Sequence, residues 1–338
     1  MSKGIDQLRT EMARQHSDAL ASLRAARDSA RPIAEALRAR GRLVLLGMGG
    51  SHWINRAVGD FYRAAGLDTT EHVVSEYMRA PLPGDPAMLV TSQSGRSGEV
   101  LHLIERGMVS PVAYGLTLEA DSPLATELPS LVGVGGRELA YAATRSQLIT
   151  LGLHAAILEA LGQDISAAEV ALAAGAPSRP AEADAAIDRL VPAPVAIMVA
   201  RGGGAQGVMD AAALCLMEIA RLPVLGLEAG QFRHGPFEMI DQESAVILLR
   251  GQCQDRDDLS LLAEECVAHG IAPIIIDASG RAPVRGALTV PLTPQKGLAL
   301  AVAALPVIQE ILVSAAARRL PDAGLPRRSS KVASAEVA

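Results

Sequence analysis

The sequence predicts an α/β protein built from two parallel β-sheets, each covered by helices on both faces in a three-layer, flavodoxin-like arrangement. Hydrophobic residues make up 49% of the chain but aromatic residues only 2%, a composition typical of Ala-, Leu-, Val- and Ile-rich cores under helices. The order of an apolar run, a Gly-rich turn and a helix occurs twice, as expected for βαβ units. A chain of 338 residues also has the length of two domains.

The repeat can be followed through both halves of the chain. "RLVLLGMGGSHWINRAVGDFYRAAGL" from Arg42 is matched by "VAIMVARGGGAQGVMDAAALCLMEIARL" from Val195, an offset of about 153 residues. "AMLVTSQSGRSGEVLHLIERG" from Ala87 is echoed by "AVILLRGQCQDRDDLSLLAEE" from Ala245. Because parallel strands need helical crossovers, each half is expected to form its own sheet.

Composition changes along the chain indicate the domain boundaries. A small, Pro-containing connector, "GAPSRPAEA", separates the halves, and the chain becomes Arg- and Pro-rich near its end. We therefore expect N-terminal helices over 1–40, a first domain over 41–174, a second domain over 184–319 and an extended tail over 320–338.

Charge and cysteine content exclude several classes of protein. A net charge of −6 and a pI near 5.7 argue against a nucleic-acid-binding protein. Cys215, Cys253 and Cys266 show no metal-type spacing and indicate neither a disulfide framework nor a zinc site. The N-terminus has no charged-then-apolar leader, and no run of about 18 uncharged apolar residues occurs. We expect a cytoplasmic protein with no membrane partner.

A polar loop between a strand and a helix is the first candidate binding site. It brings together Ser92, Gln93, Ser94, Gly95 and Ser97, at the place where helix N-termini and hydroxyl groups bind phosphate. The matching place in the second half reads "RGQCQD", so one anion site per chain is expected. The alternative is an ordinary Ser-Gly loop in which the last serine caps the helix.

The turn "GMGGSH" at 47–52 has two interpretations. As a dinucleotide fingerprint it lacks the third glycine, since His52 stands there, although Glu71 lies at a tolerable distance for a ribose-binding acid. Otherwise it brings Ser51 and backbone N–H groups to the ligand of the Ser92 loop, provided that the two strands are neighbours.

Two residues of the second half are candidates for proton transfer. Glu218 lies in the apolar helix "AAALCLMEIARL" and is either paired with Arg221, at i+3, or desolvated and so raised in pKa. His234 precedes the turn Gly235-Pro236 and alone would usually be structural. Together with a phosphate loop, these are the parts that a sugar-phosphate isomerase needs.

In combination these motifs resemble the SIS (sugar isomerase) family. The layout is closest to the two-SIS-domain isomerase portion of glucosamine-6-phosphate synthase and to stand-alone deaminases and fructosamine-phosphate deglycases. The resemblance runs from about residue 40 to the C-terminus. The loop "SQSGRS" matches the family's "SQSGxT/S", a glutamate stands sixteen positions before the histidine of "HGP", and "PRRSSK" matches a tail that closes the site.

The resemblance implies a role for each matched residue, and a homodimer in which the histidine reaches the partner's site. No cofactor or metal is implied. The implied catalytic residues are Glu218, His234 and Lys331; the phosphate-binding residues are Ser51, Ser92, Gln93, Ser94 and Ser97; the pocket residues are Gly49, Gly50, Gly95 and Ala143.

Departures from the family pattern concern the same site. Where synthase-like members read "ASTK", this chain reads "AATR", with Ala143 and Arg145 in place of a hydroxyl and a lysine. Where many members carry a lysine three residues before the glutamate, Cys215 stands here. The second change removes a cation beside the expected base.

The implied function is isomerisation or deamination of an amino-sugar phosphate, of the glucosamine-6-phosphate and fructose-6-phosphate type, by proton transfer between C1 and C2. A fructosamine-6-phosphate deglycase is the first alternative. A sugar-phosphate sensor without turnover is the second, although residues 1–40 are short for the DNA-binding helix-turn-helix of such regulators. An NAD-dependent oxidoreductase would follow from the dinucleotide interpretation of 47–52.

Overall fold

The computed structural model describes residues 2–176, 179–252 and 258–332. Pro177 and Ser178 of the connector, Cys253 and the last six residues of the expected tail lie outside the described residues. The first half contains α1 (Lys3–Arg40), β1 (Arg42–Gly47), α2 (Gly49–Ala64), β2 (Asp68–Val73), α3 (Val74–Arg79), β3 (Ala87–Thr91), α4 (Gly98–Glu105), β4 (Ala113–Thr117), α5 (Pro123–Glu127), β5 (Ser130–Val132), α6 (Arg145–Ala160) and α7 (Ser166–Ala173). The second half contains α8 (Glu182–Leu190), β6 (Ala196–Ala200), α9 (Gly203–Ala220), β7 (Val224–Glu228), α10 (Ala229–Arg233), a 3₁₀ turn (Pro236–Met239), β8 (Ala245–Gly251), α11 (Asp258–Ala268), β9 (Ile274–Ala278), β10 (Leu288–Pro291) and α12 (Gly297–Arg319).

Both sheets are parallel and have the same strand order. The first runs β2-β1-β3-β4-β5 and the second β7-β6-β8-β9-β10, so each strand has its repeat partner at the same position. This confirms the prediction of an α/β protein with two helix-flanked parallel sheets. The sheets fall within 41–174 and 184–319, and one cluster of buried apolar side chains spans both halves.

The N-terminal segment, for which the sequence allows one or two helices, forms one long helix. Ser2 caps α1 by accepting a hydrogen bond from the backbone N–H of Ile5. The helix lies so close to α6 that a Cβ on Gly152 would approach the carbonyl oxygen of Ala19 to 2.7 Å. This helix is therefore an integral layer of the first half.

The first turn of α1 also contacts the base of the C-terminal tail. The Ser2 hydroxyl donates to the carbonyl of Ala323, and a Cβ on Gly4 would lie 2.4 Å from the carbonyl carbon of Gly324. Gly324 in turn donates its N–H to the carbonyl of Ile219 in α9. The tail is thus rooted between the start of α1 and the end of α9.

Helices α2 and α9 join the two halves in an antiparallel pair. A Cβ on Gly207 would lie only 2.4 Å from the backbone nitrogen of Ala57, so the glycine allows the two backbones to touch. The Arg56 guanidinium binds the buried Asp210 carboxylate at 2.5 Å. Near the other end of the contact, Leu214 lies against Gly49. This packing brings the C-terminal part of α9 beside the start of α2.

Among the described residues, one helix is long and apolar enough to cross a membrane by length and composition alone. It is α12, in which only Glu310 interrupts the uncharged run, and 89% of its most apolar window is buried inside the protein. Such burial is that of a core helix of the protein.

Candidate functional site

A cavity of about 410 Å³ lies where β1 and β3 end, between the starts of α2 and α4, the later part of α9 and the C-terminal tail. Strands β1 and β3 are neighbours, paired from Leu43 with Ala87 to Gly47 with Thr91, so their polar turns stand side by side. Nine of the twelve predicted site residues line this cavity: Gly49, Gly50, Ser51, Gln93, Ser94, Ser97, Ala143, Glu218 and Lys331.

The serine loop presents hydroxyl groups at a helix start. Ser97 occupies the N-cap position of α4, but its side chain forms no capping hydrogen bond. Its hydroxyl oxygen lies 3.0 Å from that of Ser92 instead. The N-cap alternative therefore does not account for this hydroxyl, and the residue lines the cavity at the start of α4.

Two predicted residues support the loop from behind rather than line the cavity. Ser92 is 2% exposed, and its hydroxyl lies beside that of Ser97. Gly95 adopts a φ of +59°, and a Cβ there would lie 2.1 Å from the hydroxyl oxygen of Ser122. The glycine is thus required by the shape of the loop, and direct contact of either residue with a ligand stays a prediction.

The structure disfavours the dinucleotide interpretation of residues 47–52. Glu71 lies within β2, opposite Leu45 and two residues before the strand ends, and its carboxylate binds Arg63 at 2.8 Å. It does not line the cavity. A ribose-binding acid would be expected at the carboxyl end of the strand, facing the ligand.

Glu218 is the acidic group that α9 presents to the cavity. Burial raises its pKa to about 7, against the opposing effect of the positive charge of Lys331, while Glu138 raises it further. Arg221, the partner considered from sequence, binds Asp322 instead. The carboxyl group is therefore desolvated rather than paired with that arginine, as proton transfer at neutral pH requires.

Arg221 fixes the tail to the end of the same helix. Its φ of +52° is the one positive value among the described residues other than glycine, a conformation that costs a side-chain-bearing residue about 1–2 kcal/mol. The guanidinium donates to the Asp322 carboxylate and to the carbonyl of Leu325. The residue that ends the helix of Glu218 thus anchors the tail.

The tail covers one side of the cavity. Ser329, Ser330, Lys331 and Val332 all line it, and the Ser329 hydroxyl forms a hydrogen bond with that of Tyr141. The Nζ of Lys331 donates to Oε2 of Glu138 at 2.9 Å. A tail lysine at the site was predicted, but its partner was not.

Glu138 is completely buried, and its position is fixed by hydrogen bonds. Burial would raise its pKa, but the charge of Lys331 and hydrogen bonds from Ser146 and Thr144 lower it below the ordinary value. Nothing local in "GGRELAYAATR" marks this glutamate as part of the site. The signal becomes visible only when the tail, 193 positions later, is placed beside it.

The comparison with known families identifies the second half of the chain. Residues 190–307 match the family described as SIS domain. These residues form a SIS domain. They contain the second sheet and α9, and therefore Glu218, as the sequence motifs predicted.

Curated relatives extend the likeness to the first half. The chain is 26% identical over 329 residues to a glutamine-fructose-6-phosphate aminotransferase (isomerizing) from Synechocystis, covering 85% of this chain and 50% of that protein. It is 26% identical over 267 residues to the enzyme of the same description from Rhizobium meliloti, covering 73% of this chain and 43% of that protein. The chain thus spans about half the length of the curated relatives it matches.

Solved structures share the fold over nearly the whole chain. The C-terminal domain of glucosamine-fructose-6-phosphate aminotransferase from Francisella tularensis superposes with a TM-score of 0.82 at 16% identity, covering 93% of this chain and 96% of that one. Tagatose-6-phosphate ketose/aldose isomerase from Escherichia coli gives 0.79 at 18% identity, covering 96% and 97%. Glucosamine-6-phosphate deaminase from Thermotoga maritima gives 0.70 at 18% identity, covering 92% and 95%.

The departures at 143–145 and 215 have different consequences. Arg145 is fully buried and points away from the cavity to Glu11, at 2.5 Å, and Asp18, at 3.0 Å, so it serves the packing of α1. Cys215 is buried beside Glu218, and burial raises the pKa of its thiol. Since the thiol of Cys215 carries no positive charge, Lys331 supplies the positive charge that lowers the pKa of Glu218 against the effect of burial.

His234 is exposed and lies outside the cavity of its own chain. It ends α10, and Gly235 beside it takes a φ of +119°. Its expected role, to reach the site of a partner subunit, stays a prediction. Within the described residues, no group of three or more His, Cys, Asp or Glu is placed to hold a metal ion.

Proposed function

We propose that this chain is a cytoplasmic phosphosugar isomerase of the aldose-ketose type, acting on an amino-sugar phosphate of the glucosamine-6-phosphate and fructose-6-phosphate kind. The observation that carries the proposal is the shared cavity. The carboxyl group of Glu218, whose pKa is raised to about 7, lines the same cavity of 410 Å³ as Ser51, Ser94 and Ser97. The serine hydroxyls suit a phosphate, and the carboxyl group suits a general base.

Binding of the phosphate would orient the reacting carbons. The hydroxyls of Ser51, Ser94 and Ser97 and the N-termini of α2 and α4 would hold the ester group without a full positive charge. Binding energy at this remote group is then available to place C1 and C2 of the open-chain sugar beside Glu218.

Glu218 would carry the proton between the two carbons. Its ionised form takes the proton from C2 of the aldose, leaving an enediol or enamine, and returns it to C1, so that no net proton is consumed. A pKa close to the working pH makes both steps accessible and typically contributes about 10²–10⁴-fold. With an amino group on C2, addition of water and departure of ammonia then give the ketose phosphate.

Lys331 and His234 complete the proposed chemistry. Lys331 would neutralise negative charge on the substrate from the tail. His234 of a second copy of the chain would move the proton of the ring oxygen during opening, which makes a homodimer with shared sites the working unit. Substrates named for the relatives, fructose-6-phosphate, tagatose-6-phosphate and glucosamine-6-phosphate, are all six-carbon sugar phosphates and support this class.

A second cavity favours one alternative, a fructosamine-6-phosphate deglycase. About 530 Å³ in volume, it lies on the other side of the tail, is also lined by Glu218, and contains Met217, Arg221 and Arg328. It offers space and positive charge for an amino acid attached to the sugar nitrogen. With such a substrate, the same proton transfer would release an amino acid in place of ammonia.

A panel of substrates tests the proposal. The protein is incubated with glucosamine-6-phosphate, with fructose-6-phosphate with and without ammonia, and with fructosamine-6-phosphates, and ammonia, amine and ketose phosphate are measured. Glu218→Gln should abolish turnover while phosphosugar affinity, measured by calorimetry, stays close to wild type. Glu264→Gln, on an exposed face of α11, is the matched control and should leave turnover intact.

Three outcomes separate the hypotheses. Ammonia or ketose phosphate from glucosamine-6-phosphate supports the isomerase or deaminase, and amine release from a fructosamine phosphate supports the deglycase. Binding of all sugars without turnover would indicate a sensor. Full turnover by Glu218→Gln would remove that residue from the mechanism.

A further inference from the structure

Glu138 takes no part in the mechanism proposed above, yet it holds a well-defined place beside it. Its side chain is 0% exposed and does not line the cavity. Oε1 accepts hydrogen bonds from the backbone N–H of Thr144 at 2.9 Å and its hydroxyl at 3.2 Å. Oε2 accepts from the hydroxyl of Ser146 at 2.6 Å and from Nζ of Lys331 at 2.9 Å.

The position of Glu138 does not depend on the tail. The next residue, Leu139, donates its N–H to Oε1 of Glu11 in α1 at 2.7 Å. Arg145 donates to the carbonyl of Gly136 at 2.8 Å while it is held by the same glutamate of α1. The loop that carries Glu138 is therefore fixed to the long N-terminal helix, and its carboxylate is a stationary negative charge.

The tail, by contrast, depends on few contacts beyond its root. Residues 326–330 are exposed. Arg327 binds Asp322 within the tail itself, and the side-chain contacts that join the described part of this segment to the rest of the protein are the Tyr141 hydroxyl on Ser329 and the ion pair of Lys331. A completely buried carboxylate without a counter-charge is costly. Capture of the lysine removes that cost and so favours the closed tail.

We infer that Glu138 is a positioning residue, a fixed buried anion that draws Lys331 into the cavity and holds the tail over Glu218. The catalytic consequence of this role rests on the proposed function, whereas the closure of the tail does not. Glu138 acts through Lys331 and does not touch the substrate.

The charges around Glu218 predict the direction in which its pKa changes when Glu138 or Lys331 is altered. Lys331 from the tail and Glu138 from its loop act on the Glu218 carboxyl with opposite effects, the lysine more strongly. Other titratable or charged groups near Glu218 are Cys215 on the same helix, Arg221 at its end, and Glu99, which lines the cavity from α4. Arg221 is already bound to Asp322. Loss of the Glu138 charge alone would lower the pKa of Glu218, whereas release of Lys331 would raise it.

The test compares Glu138→Gln, Lys331→Gln and the double variant with wild type, using kcat/KM as a function of pH. If Glu138 acts through Lys331, Glu138→Gln should lower kcat/KM at pH 7 about 10–100-fold and move the acid limb of the profile to higher pH. The double variant should be no slower than Lys331→Gln alone. A shift of the acid limb to lower pH, or losses that multiply in the double variant, would overturn the inference.

A second measurement needs no turnover. Trypsin should cleave after Arg327 and Arg328 at least several-fold faster in Glu138→Gln than in wild type, because the tail is released. Glu127→Gln, at the exposed end of α5, is the control and should match wild type in both cleavage and turnover. Equal cleavage of Glu138→Gln and wild type would contradict the inference.

The outcomes also distinguish this inference from the proposed function. A wild-type protein that turns over no phosphosugar, with faster tail cleavage in Glu138→Gln, would refute the function and retain the tail contact. If Glu138→Gln does not fold, Lys331→Gln replaces it: an unpaired Glu138 should lower the midpoint of thermal unfolding at pH 7, and an unchanged midpoint would overturn the inference.

Discussion

Glu218→Gln should stabilise the protein at neutral and alkaline pH while it removes the proposed base. Burial raises the pKa of Glu218 from 4.5 to about 7, and in the unfolded chain it returns to the lower value. Between pH 4.5 and about 7, the Glu218 carboxyl is ionised in the unfolded chain but still largely protonated in the folded protein, so rising pH favours unfolding. At 1.36 kcal/mol for each pH unit, the cost of keeping the folded carboxylate ionised reaches about 3 kcal/mol.

The difference between variant and wild type should therefore depend on pH. At pH 8, above both pKa values, Glu218→Gln should raise the free energy of unfolding by about 2–3 kcal/mol, and below pH 4.5 the difference should vanish. Urea unfolding followed by the fluorescence of Trp53, the single tryptophan of the chain, measures it. Trp53 lies on α2 and reports on the packing of α2 against α9.

The control is again Glu264→Gln, which exchanges the same groups on an exposed face. If Glu218→Gln and Glu264→Gln give the same stability at pH 5 and at pH 8, the carboxyl of Glu218 is solvated in solution. The argument for a raised pKa, and with it the choice of this residue as the base, would then be refuted.

Three further predictions concern packing and binding. Gly207→Val places a side chain where a Cβ already lies 2.4 Å from the nitrogen of Ala57, and should cost about 3 kcal/mol in urea unfolding. Arg145→Gln leaves the buried Glu11 without its charged partner and should cost about 3 kcal/mol in urea unfolding. Ser97→Ala should weaken binding of a phosphosugar about 10-fold by calorimetry, with little change in the thermal midpoint, because the hydroxyl caps no helix.

Much of the fold was predictable because the chain repeats itself. β1 repeats as β6 and β3 repeats as β8, in the same order along the chain. Short apolar runs, each followed by a polar or Gly-rich turn and a helix, are typical of parallel strands. The same logic allowed Ser51 to share a site with Ser94 if their strands were neighbours, since adjacent parallel strands bring their following loops to one edge of the sheet. The strands are neighbours, and both serines line the cavity.

The rest of the site depends on contacts between distant segments. Glu138 and Lys331 are 193 positions apart, and neither the loop nor the tail shows the pairing by itself. In the sequence, Arg145 replaces a lysine of the family pattern, but the acids of α1 that bind its guanidinium precede it by more than 120 positions. His234 is exposed in its own chain, so only an assembly of two copies tests its expected role.

The contact between Gly4 and Gly324 limits how far the tail can travel. The root is held by α1 and α9, and Leu325 is bound by Arg221, so within the described residues the part that can swing begins at Pro326. The six Cα steps from Leu325 to Lys331 span roughly 20 Å at full extension. A released lysine therefore stays within reach of Glu138 at a high effective concentration. Short chain segments close in well under a microsecond, and enzymes typically turn over about 1–10³ times per second, so recapture of the lysine would not limit the rate.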